Sequence, residues 1–162
     1  GQSDFGLSEQ LHITRKEAHA FIEKYFASYP NIKTFMDDTI HFCEEHGYVK
    51  TLFNRRRYIK EINDKNYMMR EFGKRAAMNA PIQGSAADLI KLAMIHIFDK
   101  MREEQVKSRM ILQIHDELIF DVCEDEIEIM KKIVEEGMQN AMKLRVPLLA
   151  EASMGKTWYD AK

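Results

Sequence analysis

The chain has 162 residues, 45% of them hydrophobic and 31% charged, the balance of a soluble globular protein long enough to build a core. Lys and Arg number 24 against 26 Asp and Glu, a formal net charge of -2, so no global excess of charge argues for a nucleic-acid partner. No apolar run approaches the roughly 20 residues of a membrane helix, and GQSDFGLSEQ lacks the basic and apolar regions of a signal peptide, so a cytosolic (cytoplasmic) protein with no membrane partner is expected.

Along the chain, Thr14-Arg15-Lys16-Glu17 has capping-box spacing, and Ala18, Phe21, Ile22, Tyr25, Phe26 and Tyr29 follow at helical intervals up to Pro30. That spacing predicts a helix with one buried face. Ile32, Phe35, Met36, Ile40 and Cys43 repeat the pattern until Gly47, a natural helix stop, so a second helix should pair with the first. YVKTLFN and RRRYIKEI read as two short strands around a bend near Asn54, with arginines at the turn. From about Asn66 a long helical pattern runs through Met69, Phe72 and Ala76. Pro81 should kink or break it before Ile82, Ala86, Leu89, Ile90, Ala93, Ile97 and Met101 resume the apolar stripe.

ILQIHDELIFDV, residues 111–122, follows as two apolar arms around His115, Asp116 and Glu117, the pattern of a hairpin with an ionisable bend. Asp125 and Glu128 have a second capping-box spacing, ahead of a helix with Ile127, Met130, Val134, Met138 and Ala141 inward. A last strand is expected from Pro147 toward Ala152. Helices combined with a small antiparallel sheet, and strands joined by hairpins instead of helical crossovers, make this an α+β chain. Cys43 and Cys123 lie far apart without CxxC or Cys/His spacing. They read as small core hydrophobes, not as a disulfide or zinc framework.

Charge is unevenly distributed. Arg55, Arg56, Arg57, Lys60, Lys65, Arg70, Lys74 and Arg75 fall among only Glu61, Asp64 and Glu71, whereas Asp121 to Glu136 is mostly acidic. Such a block either steers a polyanion to one surface or is simply a solvated face.

Three groups of residues could carry chemistry. Arg75, Asn79 and Gln83 stand four apart, and each step of four drifts by only about 40° on a helix, so they form one stripe of hydrogen-bond donors. The stripe fits either a solvated polar face or a reader of the minor-groove acceptors that every base pair shares. Gln83-Gly84-Ser85-Ala86-Ala87-Asp88 leaves room for close approach by another backbone, a helix or a nucleic-acid sugar edge, and has no phosphate-loop spacing. His115-Asp116-Glu117 puts carboxylates at a hairpin tip, where a hard divalent cation that keeps waters and substrate phosphates as other ligands could be held. The same triplet also fits a plain turn. A hydrolase built around it would need a second ligand cluster, and His12, His19, His41, His46 and His96 show no HExxH-type spacing.

Taken in order, SDFGLS, RRRY, RAAMNAPIQGSAAD, QIHDELIF, VPLLAE and GKTWYDAK resemble the C-terminal part of the family A DNA polymerases, the bacterial DNA polymerase I type, over essentially the whole chain. The resemblance implies fingers remnant over residues 1–65 and the C-terminal half of the palm over 66–162. It implies that Asp116 is the metal ligand of the family's motif C, Glu117 the adjacent supporting acid and His115 a residue near the primer terminus. Arg75, Asn79 and Gln83 match residues that contact the primer-template minor groove, and Arg55 and Arg56, with Arg57, lie where the template strand would pass. Mg²⁺ as cofactor (two ions in an intact enzyme), primer-template DNA, deoxynucleoside triphosphates and the rest of a polymerase chain as partners follow by the same resemblance. The DYSQIELR-like motif A with the other metal-binding Asp, and the nucleotide-gripping fingers helix, are absent from these residues. The expectation is therefore a fragment of a DNA-directed DNA polymerase acting in replication and repair, inactive by itself. A non-catalytic nucleic-acid-binding module that reuses the palm fold is the alternative.

Overall fold

A computed structural model describes residues 2–161. Two compact units divide the chain between Ser85 and Ala86.

In the first unit, helix α1 (Asp4–Leu11) is followed by α2 (Arg15–Ser28), and the capping box forms as its spacing predicts. The Glu17 carboxylate accepts from the Thr14 backbone N–H at 2.9 Å, while Thr14 Oγ1 accepts from the Glu17 N–H at 3.2 Å. The carboxylate also accepts from the Thr14 hydroxyl at 2.8 Å, and its two bonds, the one from the Thr14 backbone first, hold the Glu17 carboxyl below the usual carboxylate range. Helix α3 (Pro30–His46) begins with Pro at a position whose N–H needs no helical partner, and stops at Gly47, whose φ of 76° is the left-handed value glycine adopts without cost.

Strands β1 (Tyr48–Lys50) and β2 (Arg56–Tyr58) pair antiparallel, Tyr48 opposite Tyr58 and Lys50 opposite Arg56. A 3₁₀ turn over Lys60–Asn63 then leads into α4 (Tyr67–Glu103). Cys43, Val49, Ile59, Ile62, Ala77 and Ala80 form the core of this unit. Burial pushes the Cys43 thiol upward, as suits a small apolar filler, and both cysteines are free. Where α4 crosses the 3₁₀ turn, a Cβ on Gly73 would lie 2.8 Å from the backbone of Glu61 and Ile62, so only glycine allows the contact.

Helix α4 passes through Pro81 without ending, so of the two expected outcomes, a kink or a break, the break does not occur. Pro removes one ladder donor, but Ala77, Met78 and Ala80 before it and Ser85, Asp88 and Ile90 after it are buried and hold both sides in helical register.

In the second unit, α4 continues to Glu103, and β3 (Arg109–Ile114) pairs antiparallel with β4 (Glu117–Asp121) before helix α5 (Ile127–Gln139). Its core is Ile97 and Met101 of α4 with Met130 and Ile133 of α5, and Val106, Met110, Leu118 and Phe120 pack against it.

Two expectations fail here. No capping box forms at Asp125 and Glu128: a 3₁₀ turn over Glu124–Glu126 precedes α5, and no side chain caps the helix. The Glu126 carboxylate instead accepts from Ser108 Oγ (2.6 Å), Ser108 N (2.8 Å) and Lys107 N (2.8 Å), which secures the start of β3. Those bonds, Ser108's hydroxyl foremost, lower its pKa. Residues 147–152 form no strand either. Side chains of α5 take up their backbone groups, Ala152 N donating to Glu135 Oε1 at 3.0 Å and Gln139 Nε2 to the Ala150 carbonyl at 2.9 Å. The chain is α+β, with two two-stranded antiparallel sheets among the described residues.

Helical periodicity also overstated depth. Ala18 is buried, yet Phe21 and Tyr25 of α2, Tyr29 just after it, Ile32 and Phe35 of α3 and Met69, Phe72 and Ile82 of α4 are exposed. A helix packed against one or two neighbours covers a stripe narrower than its apolar arc. Among the described residues no helix is long and apolar enough to cross a membrane.

Candidate functional site

The β3–β4 register fixes the tip of the hairpin. Ile114 pairs with Glu117, leaving His115 and Asp116 as a two-residue turn. The turn residue with positive φ is His115, at 54°, and not the aspartate that turn propensity would favour. A non-glycine residue there bears about 1 kcal/mol of backbone strain, and such strain tends to gather where geometry serves function. The Gln113 side-chain amide donates to the His115 carbonyl at 3.1 Å and braces the turn from inside the strand. A register shift between Met110 and Leu112 marks a bulge lower in β3. Below the tip, Met110, Leu118 and Phe120 anchor the hairpin to the Ile97–Met130 core. The result is a rigid base with His115, Asp116 and Glu117 all exposed at the end.

Adjacent carboxylates on such a tip suit a hard, oxygen-seeking cation that retains most of its waters. They supply part of a shell. Among the described residues no three His, Cys, Asp or Glu side chains gather as a ligand set.

On α4, Arg75, Asn79 and Gln83 are all exposed, and Ala77, Met78 and Ala80 between them are buried, so the stripe is the outward face of a helix whose inward face is core. Because α4 runs unbroken through Pro81, the three share one helix. Phe72, which the periodicity assigned to the buried stripe, is 52% exposed one turn before Arg75 and widens this outward face.

The arginine turn is built around Thr51, a residue that sequence reasoning passed over. Thr51 Oγ1 accepts from Phe53 N (3.2 Å) and Arg55 N (3.3 Å), its N–H donates to the Arg55 carbonyl (3.0 Å), and Asn54 takes a φ of 60°. Arg55, Arg56 and Arg57 are exposed. The turn docks on α4 immediately after Gln83. Ser85 Oγ accepts from Leu52 N at 3.0 Å and donates to the Pro81 carbonyl at 2.5 Å, and a Cβ on Gly84 would lie 2.6 Å from Thr51 Cγ2. The close approach that the small residues of QGSAAD permit is therefore made, at Gly84 and Ser85, by this chain's own turn.

The family model described as DNA polymerase family A matches residues 1–160. The chain is 52% identical over its whole length to DNA polymerase I of Bacillus subtilis (strain 168) and 51% identical to DNA polymerase I of Geobacillus stearothermophilus, and it spans 18% of the length of each. Among solved structures it is similar to the POL domain of Pol1 from M. smegmatis in complex with DNA primer-template and dNTP, at a TM-score of 0.94 and 41% identity. That match covers 99% of this chain and 28% of the other.

Proposed function

Because the chain belongs to DNA polymerase family A, we propose that it forms part of a DNA-directed DNA polymerase that adds deoxynucleotides to a primer 3′-hydroxyl. The observation that carries this reading is the β3–β4 tip, an exposed Asp116–Glu117 pair on a hairpin rooted in core, within a chain similar over 99% of its length to a polymerase domain solved with primer-template and dNTP. Residues 1–65 would be the end of the fingers and 66–162 the C-terminal half of the palm.

In this reading Asp116, with Glu117 beside it, holds Mg²⁺. The ions, when bound, stabilise charge on the attacking and leaving oxygens of an in-line phosphoryl displacement. His115, fixed in direction by its turn, lies near the primer terminus. Arg75, Asn79 and Gln83 donate hydrogen bonds to purine N3 and pyrimidine O2, acceptors common to all correctly paired steps, and so sense duplex geometry without reading sequence. Arg55 and Arg56 attract the template backbone. The second metal-binding carboxylate comes from outside these 162 residues, and the chain alone does not extend a primer. A cytosolic setting goes with this role.

The test is Asp116→Ala in a full-length polymerase carrying this sequence. Templated extension should fall at least a thousandfold, as for removal of a group acting on the transition state (roughly 10³, about 4 kcal/mol), with primer-template affinity largely kept. Unchanged extension would instead favour the non-catalytic DNA-binding module.

A further inference from the structure

On the outward face of the β1–β2 hairpin the role just described uses only Arg56. Val49 is buried, so strand alternation puts Tyr48 and Lys50 on the opposite face, and the register sets Tyr58 and Arg56 across from them. The rings of Tyr48 and Tyr58 meet edge to face at 5.6 Å. Phe42 of α3 meets Tyr48 at 5.6 Å and carries His46 stacked on it at 4.1 Å. Cations are threaded among these rings: the Arg56 guanidinium lies 4.7 Å from the Tyr48 centroid, and Lys50 Nζ lies 5.6 Å from that of Phe42. Tyr58 is 66% exposed and ends the series with an open ring. From Gly47 to Lys60 the sequence contains no Asp or Glu.

We propose that this face binds unpaired DNA, one base stacking on Tyr58 while Lys50 and Arg56 meet the flanking phosphates. The chemistry selects the occupant. Glu45 lies 3.8 Å from His46 at the α3 margin of the face, but the strands and their turn carry cations without acids, which calls for a polyanion, and an open ring on a sheet calls for a flat π-face. A duplex hides its base faces in its own stack, so only a single strand presents both features. This rests on the polymerase reading and adds a second form of nucleic acid to it, distinct from the duplex edges suited to Arg75, Asn79 and Gln83. Arg57, opposite Val49, takes no part.

The experiment measures anisotropy of a labelled oligodeoxythymidine and of a labelled hairpin duplex with the full chain, after circular dichroism has established that each variant keeps the parent fold. Tyr58→Ile retains strand propensity and apolar bulk without the π-face, and Tyr58→Phe retains the ring. Tyr58→Ile should lower the ratio of single-strand to duplex affinity roughly five- to hundredfold, the range for loss of one base stack. Tyr58→Phe should hold that ratio within about twofold, and Lys50→Ala should lessen the salt slope for the single strand by about 0.7. An unchanged ratio in Tyr58→Ile, an equal loss in Tyr58→Phe, or no binding of oligodeoxythymidine overturns the proposal. Asn79→Ala separates the two readings: weakened duplex binding in that variant beside an unchanged ratio in Tyr58→Ile leaves the polymerase reading standing and removes only this one.

Discussion

The side-chain amide of Gln113 holds the backbone carbonyl of His115 at 3.1 Å, so a strand residue two positions back fixes the turn that presents Asp116. A neutral hydrogen bond of this kind contributes about 0.5–1.5 kcal/mol. Gln113→Ala in the full-length polymerase should therefore lower kcat for extension roughly two- to tenfold while primer-template affinity changes little, as steady-state kinetics and equilibrium binding would report. A loss confined to binding would contradict a positioning role.

His115→Gly tests the strained turn itself. Relief of about 1 kcal/mol of left-handed strain is offset by a similar entropic cost of glycine, so the urea midpoint should move little. A large activity loss at unchanged stability would then belong to the imidazole.

The contact of Gly84 with Thr51 predicts a coupled pair. Gly84→Ala should destabilise by about 1–3 kcal/mol, although alanine suits a helix better. Thr51→Ser, which removes Cγ2 and keeps the hydroxyl acceptor, should restore part of that loss. A double-mutant cycle by urea unfolding checks this, and strictly additive effects would rule out the contact as the cause.

Glu126 and Glu17 both have carboxyls held below their usual pKa by hydrogen bonds made in the folded chain. The folded state binds their protons less readily than the unfolded chain does, so their contribution is complete above the ordinary glutamate value of about 4.3 and is lost as pH falls through the lowered values. Thermal unfolding followed from pH 6 to pH 3 should show this decline. Glu126→Gln should unfold at lower temperature near neutrality and depend less on pH over the acid range.

Asn79→Ala and Gln83→Ala should each weaken primer-template binding roughly two- to tenfold and by similar factors whatever the base pair. A loss limited to one pair would argue for base reading and against minor-groove geometry.

Local signals were legible where one short stretch holds all the partners. Thr14 and Glu17 form their box, Gly47 ends α3, and HDE sits at a hairpin bend, because each depends on residues a few positions away. The stripe of Arg75, Asn79 and Gln83 was legible in its spacing, although its two readings could not be separated from the residues alone. Long-range competition was not legible. Asp125 and Glu128 were read as a helix start, yet the carboxylate that finds partners is that of Glu126 between them, taken by Ser108, and the chain after Pro147 is held by α5 side chains in place of a ladder partner. Periodicity placed Phe72 on a face without showing how much of that face a neighbour would cover. Thr51 gave no warning, since a threonine that organises a turn looks like any other.

Each sheet has two strands, so among the described residues every strand keeps one margin without a ladder partner. On β3 that margin runs beside Ile111 and Leu112, 59% and 48% exposed. Such an edge is a template for another chain. In concentrated solution the hairpin that presents Asp116 is thus also where one molecule could zip onto the next, and a lysine in place of Ile111 would be the simplest guard for keeping the protein monomeric at the concentrations NMR requires.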